Sequence, residues 1–430
     1  MGVTGEAVAR HLRERGAVVV AVDDWETDEA RRRSEAAGVE LVVAPDGAQL
    51  RELVAAADVL VPSPGVPESH AVFALAGELG VPVRSEVELA SRWARQPIVA
   101  ITGTNGKTTV TELVTAMLIA SGVRAVAAGN IGLPLSDAVR LDVEVVVAEV
   151  SSFQLRFTDS FHPAVAAWLN LAQDHLDWHP DLDAYAAAKA RIWAFQTDKD
   201  VAVVNADDPV VMAWASEAPS RLVTFGLRAP ADYGVEDGWL RGPEGRLSAV
   251  DDLARALPHD VANALAAAAA AVAAGATTDG VATALRGWRG LPHRVVLVTE
   301  ADGVRWFDDS KATNPHATRA ALAGFDSVVL IAGGRNKGLD LRPLRDAAGN
   351  VRAVVALGEA GPDVAQAFAG VRPVVEAETM DAAVRAAAEL ARPGDAVLLS
   401  PACASFDLYR SYAHRGDDFA RAVRELVGER

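Results

Sequence analysis

Residues 97–121 carry the pattern that most restricts what this chain can fold into. Pro97-Ile98-Val99-Ala100-Ile101 is an apolar run of strand length, and it leads directly into Thr102-Gly103-Thr104-Asn105-Gly106-Lys107-Thr108-Thr109. Residues 110–121 then read as a helix. A strand, a glycine loop, Lys-Thr and a helix start form the arrangement that cradles phosphate. Small residues let backbone N–H groups approach the oxygens, and the helix dipole adds attraction. Gly103, Thr104, Asn105, Gly106 and Thr109 would wrap the phosphates, Lys107 would meet the β- and γ-phosphates, and Thr108 would ligate Mg2+. The loop is shorter than the G-x-x-x-x-G-K-[ST] pattern, and a Gly-Lys turn in a surface loop is the plain alternative.

Further apolar runs lie at 18–22, 59–61, 145–150, 165–171, 201–204, 328–332, 354–357 and 397–399. Continuous β-branched and leucine runs suit strands buried on both faces. Helical stretches between them predict an α/β fold of βαβ units with mainly parallel sheets. Pro and Gly punctuate the chain near 95–97 and 290–292, dividing its 430 residues into 1–94, 95–290 and 291–430. Gly2-Val3-Thr4-Gly5 reads as the turn before a helix at 6–15, with no strand ahead of it. The first strand of a dinucleotide fold is central, so the domain would carry a gap of roughly 10 Å, two inter-strand spacings. A start upstream of Met1 is the expectation.

The net charge of −17 disfavours a general nucleic-acid binder. One cysteine, Cys403, excludes an intrachain disulfide and reads as a small packing residue. Residues 1–16 contain no apolar leader, and the longest apolar run, 265–274, is alanine-rich and far below the ~20 residues of a membrane span. It reads as a buried helix, and a cytoplasmic protein with no membrane partner is expected.

Glu149 closes the valine-rich strand 144–150. A carboxylate there is costly unless it is salt-bridged or holds a metal, and in phosphate-loop proteins an acid so placed holds Mg2+. His175 follows strand 165–171; a structural histidine is the plain reading. Tyr185, Ala188, Lys189, Ile192 and Trp193 recur at helical spacing, which puts Lys189 on an apolar stripe. It either snorkels to water or is buried as a reactive amine, able to take up carbon dioxide as a carbamate. Three polar clusters, 308–315, 333–338 and 400–407, follow three strands. Turn chemistry accounts for any one of them; together they suit a small dicarboxylic amino acid.

The segments ITGTNGKTT (101–109), GNIGLP (129–134), EVSSFQL (149–155), NLAQDHLD (170–177), YAAAKARI (185–192), LPHR (291–294), DSKATNP (309–315), GGRNKG (333–338) and SPACASFD (400–407) resemble the Mur ligase family over nearly the whole chain. The phosphate loop is shared with folylpolyglutamate synthases, but EVSSFQL and GNIGLP count against a ligase of that kind. An ATP-hydrolysing switch would leave Lys189 and the third-domain clusters without a role. The resemblance implies three domains: a truncated Rossmann-like N-terminal domain, a central phosphate-loop ATPase domain with a mainly parallel sheet, and a C-terminal Rossmann-like domain. It implies an ATP-dependent ligase that adds D-glutamate to UDP-N-acetylmuramoyl-L-alanine through an acyl phosphate, using two Mg2+ ions, as a monomer with small-molecule substrates.

Carried over by position, Lys107, Glu149, His175 and Lys189 are catalytic, and Thr108, Glu149, His175 and carbamylated Lys189 serve the metals. Asn263, Arg294, Asp309 and Lys311 join the phosphate loop around ATP. Thr4, Asp23, Gly65, Asn130, Ser151, Gln154 and His175 face the UDP substrate. Thr313, Lys337, Ser405, Phe406 and Tyr412 form the D-glutamate pocket. Two positions depart from the family: Asp260 follows His259 where Asn is usual, and Trp25 stands where a polar residue is expected.

Overall fold

The computed structural model describes residues 1–175 and 178–428, and the chain forms two compact units. The first comprises Met1–Leu171, Trp178–Asp252 and Asn263–Gly287. Its N-terminal part pairs β1 (Val20–Asp23) with β2 (Glu40–Val43) in parallel. The expected strand at 59–61 is a single parallel bridge between Leu60 and Val83. Val18 lies outside β1 and is fully exposed, so the valine run begins as a strand later than its composition suggests. The first helix starts at Val3, not residue 6, because Gly2 takes the extended N-cap backbone (φ −92°, ψ −176°). Thr4 therefore sits in its first turn, where backbone N–H groups have no partner within the helix.

The body of this unit is a six-stranded, all-parallel sheet. Its strands are β3 (Ile98–Thr102), β4 (Ala125–Gly129), β5 (Val145–Glu149), β6 (Val165–Trp168), β7 (Val201–Asn205) and β8 (Arg221–Phe225), in the order β4-β5-β3-β6-β7-β8. β3, β5 and β6 are buried at every residue, as both-face coverage by helices requires. β3 is laid down first and its neighbours are added on both sides, which makes its carboxyl end the switch point where ligands bind in open α/β sheets. β9 (Gly234–Glu236), β10 (Trp239–Gly242) and β11 (Gly245–Ala249) form a small antiparallel sheet.

Residues 1–94 pack on this sheet through buried polar contacts. Glu88, fully buried, accepts from the backbone N–H groups of Asp159 and Ser160 at 3.0 Å and from Arg92 Nε at 2.8 Å. Glu86, also buried, accepts from Ser136 N at 2.5 Å, while its Oε2 has no hydrogen-bond partner.

The second unit comprises Ala172–Asp177, Leu253–Ala262 and Trp288–Arg430. Its sheet contains β12 (Val296–Ala301), β13 (Val304–Asp308), β14 (Val328–Gly333), β15 (Val351–Leu357), β16 (Val374–Ala377) and β17 (Ala396–Ala402), ordered β12-β13-β17-β14-β15-β16. β12 runs antiparallel to β13, and the other pairs are parallel. Two apolar cores, one containing Leu330, Val354 and Leu398, the other Val329, Val355 and Val397, lie on its opposite faces. The alternation follows from the two-residue period of a strand. Cys403 is buried and its thiol is pushed up to about 12 by burial, which fits the packing role.

Burial pushes the Glu86 carboxyl up to about 7. A folded-state pKa above the unfolded one means stability is highest below the unfolded pKa and is lost as pH rises toward 7. Glu86→Gln should therefore stabilise the fold at pH 8, by on the order of 3 kcal/mol, and raise its melting temperature there but not at pH 4. Thermal melts of both proteins across that range check this, and equal shifts at the two pH values would exclude the ionisation as cause.

Candidate active site

β3 ends at Thr102 and the chain turns through Gly103 and Gly106 into the Lys107–Ala120 helix. Gly106 is the N-cap at φ +87°, and a Cβ there would lie 2.6 Å from Asn263 Oδ1, so both backbone angle and space require glycine. Asn170, just beyond β6, holds the loop from the side. Its Oδ1 accepts from Asn105 N at 2.9 Å, its Nδ2 donates to Asn105 O at 3.1 Å, and its backbone O accepts from Thr104 N at 3.1 Å. Lys107 Nζ donates to Gly103 O and Thr104 O, each at 2.9 Å. Lys189 Nζ also donates to Gly103 O at 2.9 Å. The two lysine side chains thus meet at one carbonyl oxygen, beside a helix N-terminus. Lys107 and that helix N-terminus place positive charge where a polyphosphate would lie.

Lys189 is 1% exposed on the Leu182–Ala190 helix, which rules out the snorkelling alternative. Its Nζ stands 4.5 Å from the centre of the Tyr185 ring, and Tyr185 Oη lies 3.3 Å from Thr104 Oγ1. Glu149 pairs in register with Ile101 of β3 and Gly129 of β4, at the carboxyl edge of the sheet. Gly129 sits at φ +108° with room for no side chain, since a Cβ would fall 2.2 Å from Glu149 O. This close approach carries Asn130 alongside, whose Nδ2 donates to Glu149 Oε1 at 3.0 Å. Glu149 Oε2 is buried without a hydrogen-bond partner. The half-buried Glu112 carboxyl is raised by burial and by the charge of Glu149.

An orphaned carboxylate oxygen with a second acid nearby fits a cation. Mg2+ keeps several waters and takes one or two carboxylates plus phosphate oxygens, so a full protein cage is not needed. Among the described residues, no group of three or more His, Cys, Asp or Glu forms such a cage. Ser151 and Gln154 form a capping box on the short Ser152–Arg156 helix, and Gln154 Nε2 is buried without a partner. Gly65 is exposed, and Thr4 and Asp23 are partly buried. Asn263 lies on the Pro258–Ala273 helix, against Gly106.

In the second unit, the three polar clusters follow β13, β14 and β17, which are adjacent, so one sheet edge collects them. Asp309 is buried, accepts from Ser400 Oγ at 2.8 Å, and is pushed up to about 7 by burial. Lys311 Nζ stands 3.7 Å over the Tyr412 ring. Asp174 accepts from Asn314 Nδ2 at 2.9 Å and lies 3.8 Å from Lys337 Nζ. Ser405 is buried, Thr313 half-buried and Phe406 exposed. His175 takes φ +56° and its Nε2 lies 3.8 Å from Asp174 Oδ2; Leu176 and Asp177 of the same segment lie outside the described residues. Asp260 forms a two-pronged pair with Arg255, at 2.6 Å on each side, and Arg255 also donates to Arg294 O at 2.6 Å. The acid at this position thus has its own cation.

Asn170, Tyr185 and Asp174 also hold neighbouring groups. Asn170 follows a buried strand and Tyr185 lines an apolar stripe, the same signal that marks Glu149 and Lys189, whereas Asp174 lies in the loop beyond β6, where no local pattern marks it.

Two family models match the chain: the Mur ligase middle domain at residues 101–271, and the Mur ligase glutamate ligase domain at 293–403. A UDP-N-acetylmuramoylalanine–D-glutamate ligase of Frankia casuarinae is 47% identical, over 100% of this chain and 93% of that protein. One of the same name from Desulfosudis oleivorans is 44% identical, over 99% and 95%. In fold, the chain is similar to a pseudomurein peptide ligase type C from Methanothermus fervidus, with a TM-score of 0.65 at 18% identity, covering 99% of this chain and 98% of that one. It is also similar to the UDP-N-acetylmuramate–alanine ligase of Thermotoga maritima, with a TM-score of 0.60 at 19% identity, covering 99% and 97%. With the sheet edge, the phosphate loop and these full-length likenesses in agreement, the chain belongs to the Mur ligase family.

Proposed function

We propose that this protein is an ATP-dependent ligase that joins D-glutamate to UDP-N-acetylmuramoyl-L-alanine in peptidoglycan precursor synthesis. The observation that carries the chemistry is the phosphate loop beside the unpartnered Glu149 oxygen on the same sheet edge. The substrate identity is supported by full-length likeness to ligases of that name.

The alanyl carboxylate attacks the γ-phosphorus of ATP, ADP leaves, and an acyl phosphate forms. The D-glutamate amine then attacks the acyl carbon and phosphate leaves. The first step sets an anion against an anion. Lys107 and the loop N–H groups offset that repulsion where charge develops. Glu149 and Thr108 would hold Mg2+, which supplies charge neutralisation when bound.

On the first unit we also assign Gly103–Thr109 and Asn263 to the nucleotide, and Thr4, Asp23, Gly65, Asn130, Ser151 and Gln154 to the UDP substrate. Lys189 would serve as a carbamate: its amine adds to carbon dioxide and loses a proton, giving two oxygens that share one negative charge and would help hold a second Mg2+. On the second unit we assign Arg294, Asp309 and Lys311 to the nucleotide and His175 to substrate and metal. Thr313, Lys337, Ser405, Phe406 and Tyr412 take D-glutamate. Functional domains of 1–94, 95–290 and 291–430, a monomer, and a cytoplasmic site of action belong to the same proposal. No helix among the described residues is long and apolar enough to cross a membrane.

The direct test is ATP-dependent amide formation from UDP-N-acetylmuramoyl-L-alanine. Turnover is expected with D-glutamate and not with L-glutamate, and phosphate release that ignores the amino acid would refute ligation. Lys189→Ala should abolish ligation, with partial recovery on adding small carboxylic acids; full activity without them would remove the carbamate. Lys337→Ala should raise the KM for D-glutamate by roughly 10- to 100-fold, the worth of one charge-assisted hydrogen bond. The KM for ATP should stay near wild type, and an equal rise in both would place Lys337 elsewhere.

A further inference from the structure

Arg415 is a buried cation that the ligase reading leaves without a task. It lies in the first turn of the Tyr412–Val427 helix and is 2% exposed, on the same buried stripe as Phe419, Ala422 and Val423. All five of its N–H donors are engaged. Nε donates to Ser310 Oγ at 3.0 Å. Nη1 donates to Gly333 O at 3.4 Å and Ala404 O at 3.2 Å. Nη2 donates to Ser310 O at 2.9 Å and Cys403 O at 3.1 Å.

These acceptors belong to the three polar segments that follow β13, β14 and β17. One guanidinium therefore ties all three loops, which a planar fork with five donors can do and a lysine cannot. The packing around it is close. Gly334 passes at φ +127°, where a Cβ would lie 2.9 Å from Arg415 Nη1. Ala404 O also accepts from Arg335 N at 2.8 Å, and Ser310 Oγ donates to Tyr412 O at 2.7 Å.

The charge is the second observation. The acceptors are carbonyls and a hydroxyl, and Asp407 and Asp308 act on Arg415 from a distance without an ion pair. Burial lowers its pKa to about 10, so it stays charged at neutral pH. Burying a cation with no carboxylate is costly, and an apolar side chain would serve packing better. A positive charge kept at this sheet edge is complementary to the carboxylates of a dicarboxylic amino acid.

Resting on the proposal that the amino acid binds at the ends of β13, β14 and β17, we propose that Arg415 is a positioning residue for it. It sets the three loops in mutual register and supplies a positive charge, held in no ion pair, to attract the dicarboxylate.

The test uses full-length Arg415→Lys, Arg415→Met and Ser310→Ala proteins, with KM and kcat measured for each substrate. Lysine keeps the charge and loses the fork, methionine loses both, and Ser310→Ala removes one acceptor while sparing the arginine. The KM for D-glutamate should rise roughly 10-fold in Arg415→Lys and roughly 100-fold in Arg415→Met, with the KM for ATP within about 3-fold of wild type. Ser310→Ala should raise it by about 3-fold. If methionine prevents folding, the lysine and alanine variants decide. A lowered melting temperature with unchanged KM for D-glutamate, or equal rises for all substrates, overturns the positioning role. A wild-type protein that makes no amide from D-glutamate overturns the functional reading instead.

Discussion

A carboxylate held at the end of a fully buried strand, with one oxygen lacking any protein partner, organises the first unit. Glu149 is where it is because β5 pairs in register with β3 and β4, so it shares a level with the start of the phosphate loop. Asn130 satisfies one oxygen, and the other is buried and unsatisfied. Such a group is stable only if something positive completes it. Phosphate-bound magnesium is the natural complement, and the loop next door has the form that brings it.

The loop is braced by the protein's own groups. Asn170 braces it through three hydrogen bonds, and the Lys107 and Lys189 side chains both reach Gly103 O. Preorganised donors cost little reorganisation when charge develops on transferring oxygens, which is how such sites accelerate phosphoryl transfer. The second unit uses the same logic with different parts. Three neighbouring strands end in polar loops, and a single buried guanidinium joins those loops from below.

One departure from the family pattern, Asp260, finds a partner nearby. Asp260 replaces an expected amide, and Arg255 meets it with a two-pronged ion pair while also holding Arg294 O. The added negative charge is thereby neutralised within the same short segment.

Continuous apolar runs determined the interior strands apart from β13, which Arg305 interrupts, since a strand covered on both faces has no polar alternation to obscure it. β3, β5, β6, β7, β14, β15 and β17 were legible for that reason, as were the phosphate loop and the odd placement of Lys189. The edge strands β4, β8, β12 and β16 were not. Each is partly exposed; β8, β12 and β16 are interrupted by polar residues, β4 is mostly alanine and glycine, and each becomes a strand because a neighbour offers its hydrogen bonds. Likewise, sequence marked Glu149 and Lys189 as misfits on apolar surfaces. Only tertiary structure decided that Asn170 braces Asn105, that Gly103 O gathers both lysines, and that Arg415 reaches three loops at once. Those contacts span tens to about a hundred positions along the chain, and no local pattern encodes which distant backbone atom a buried donor will meet.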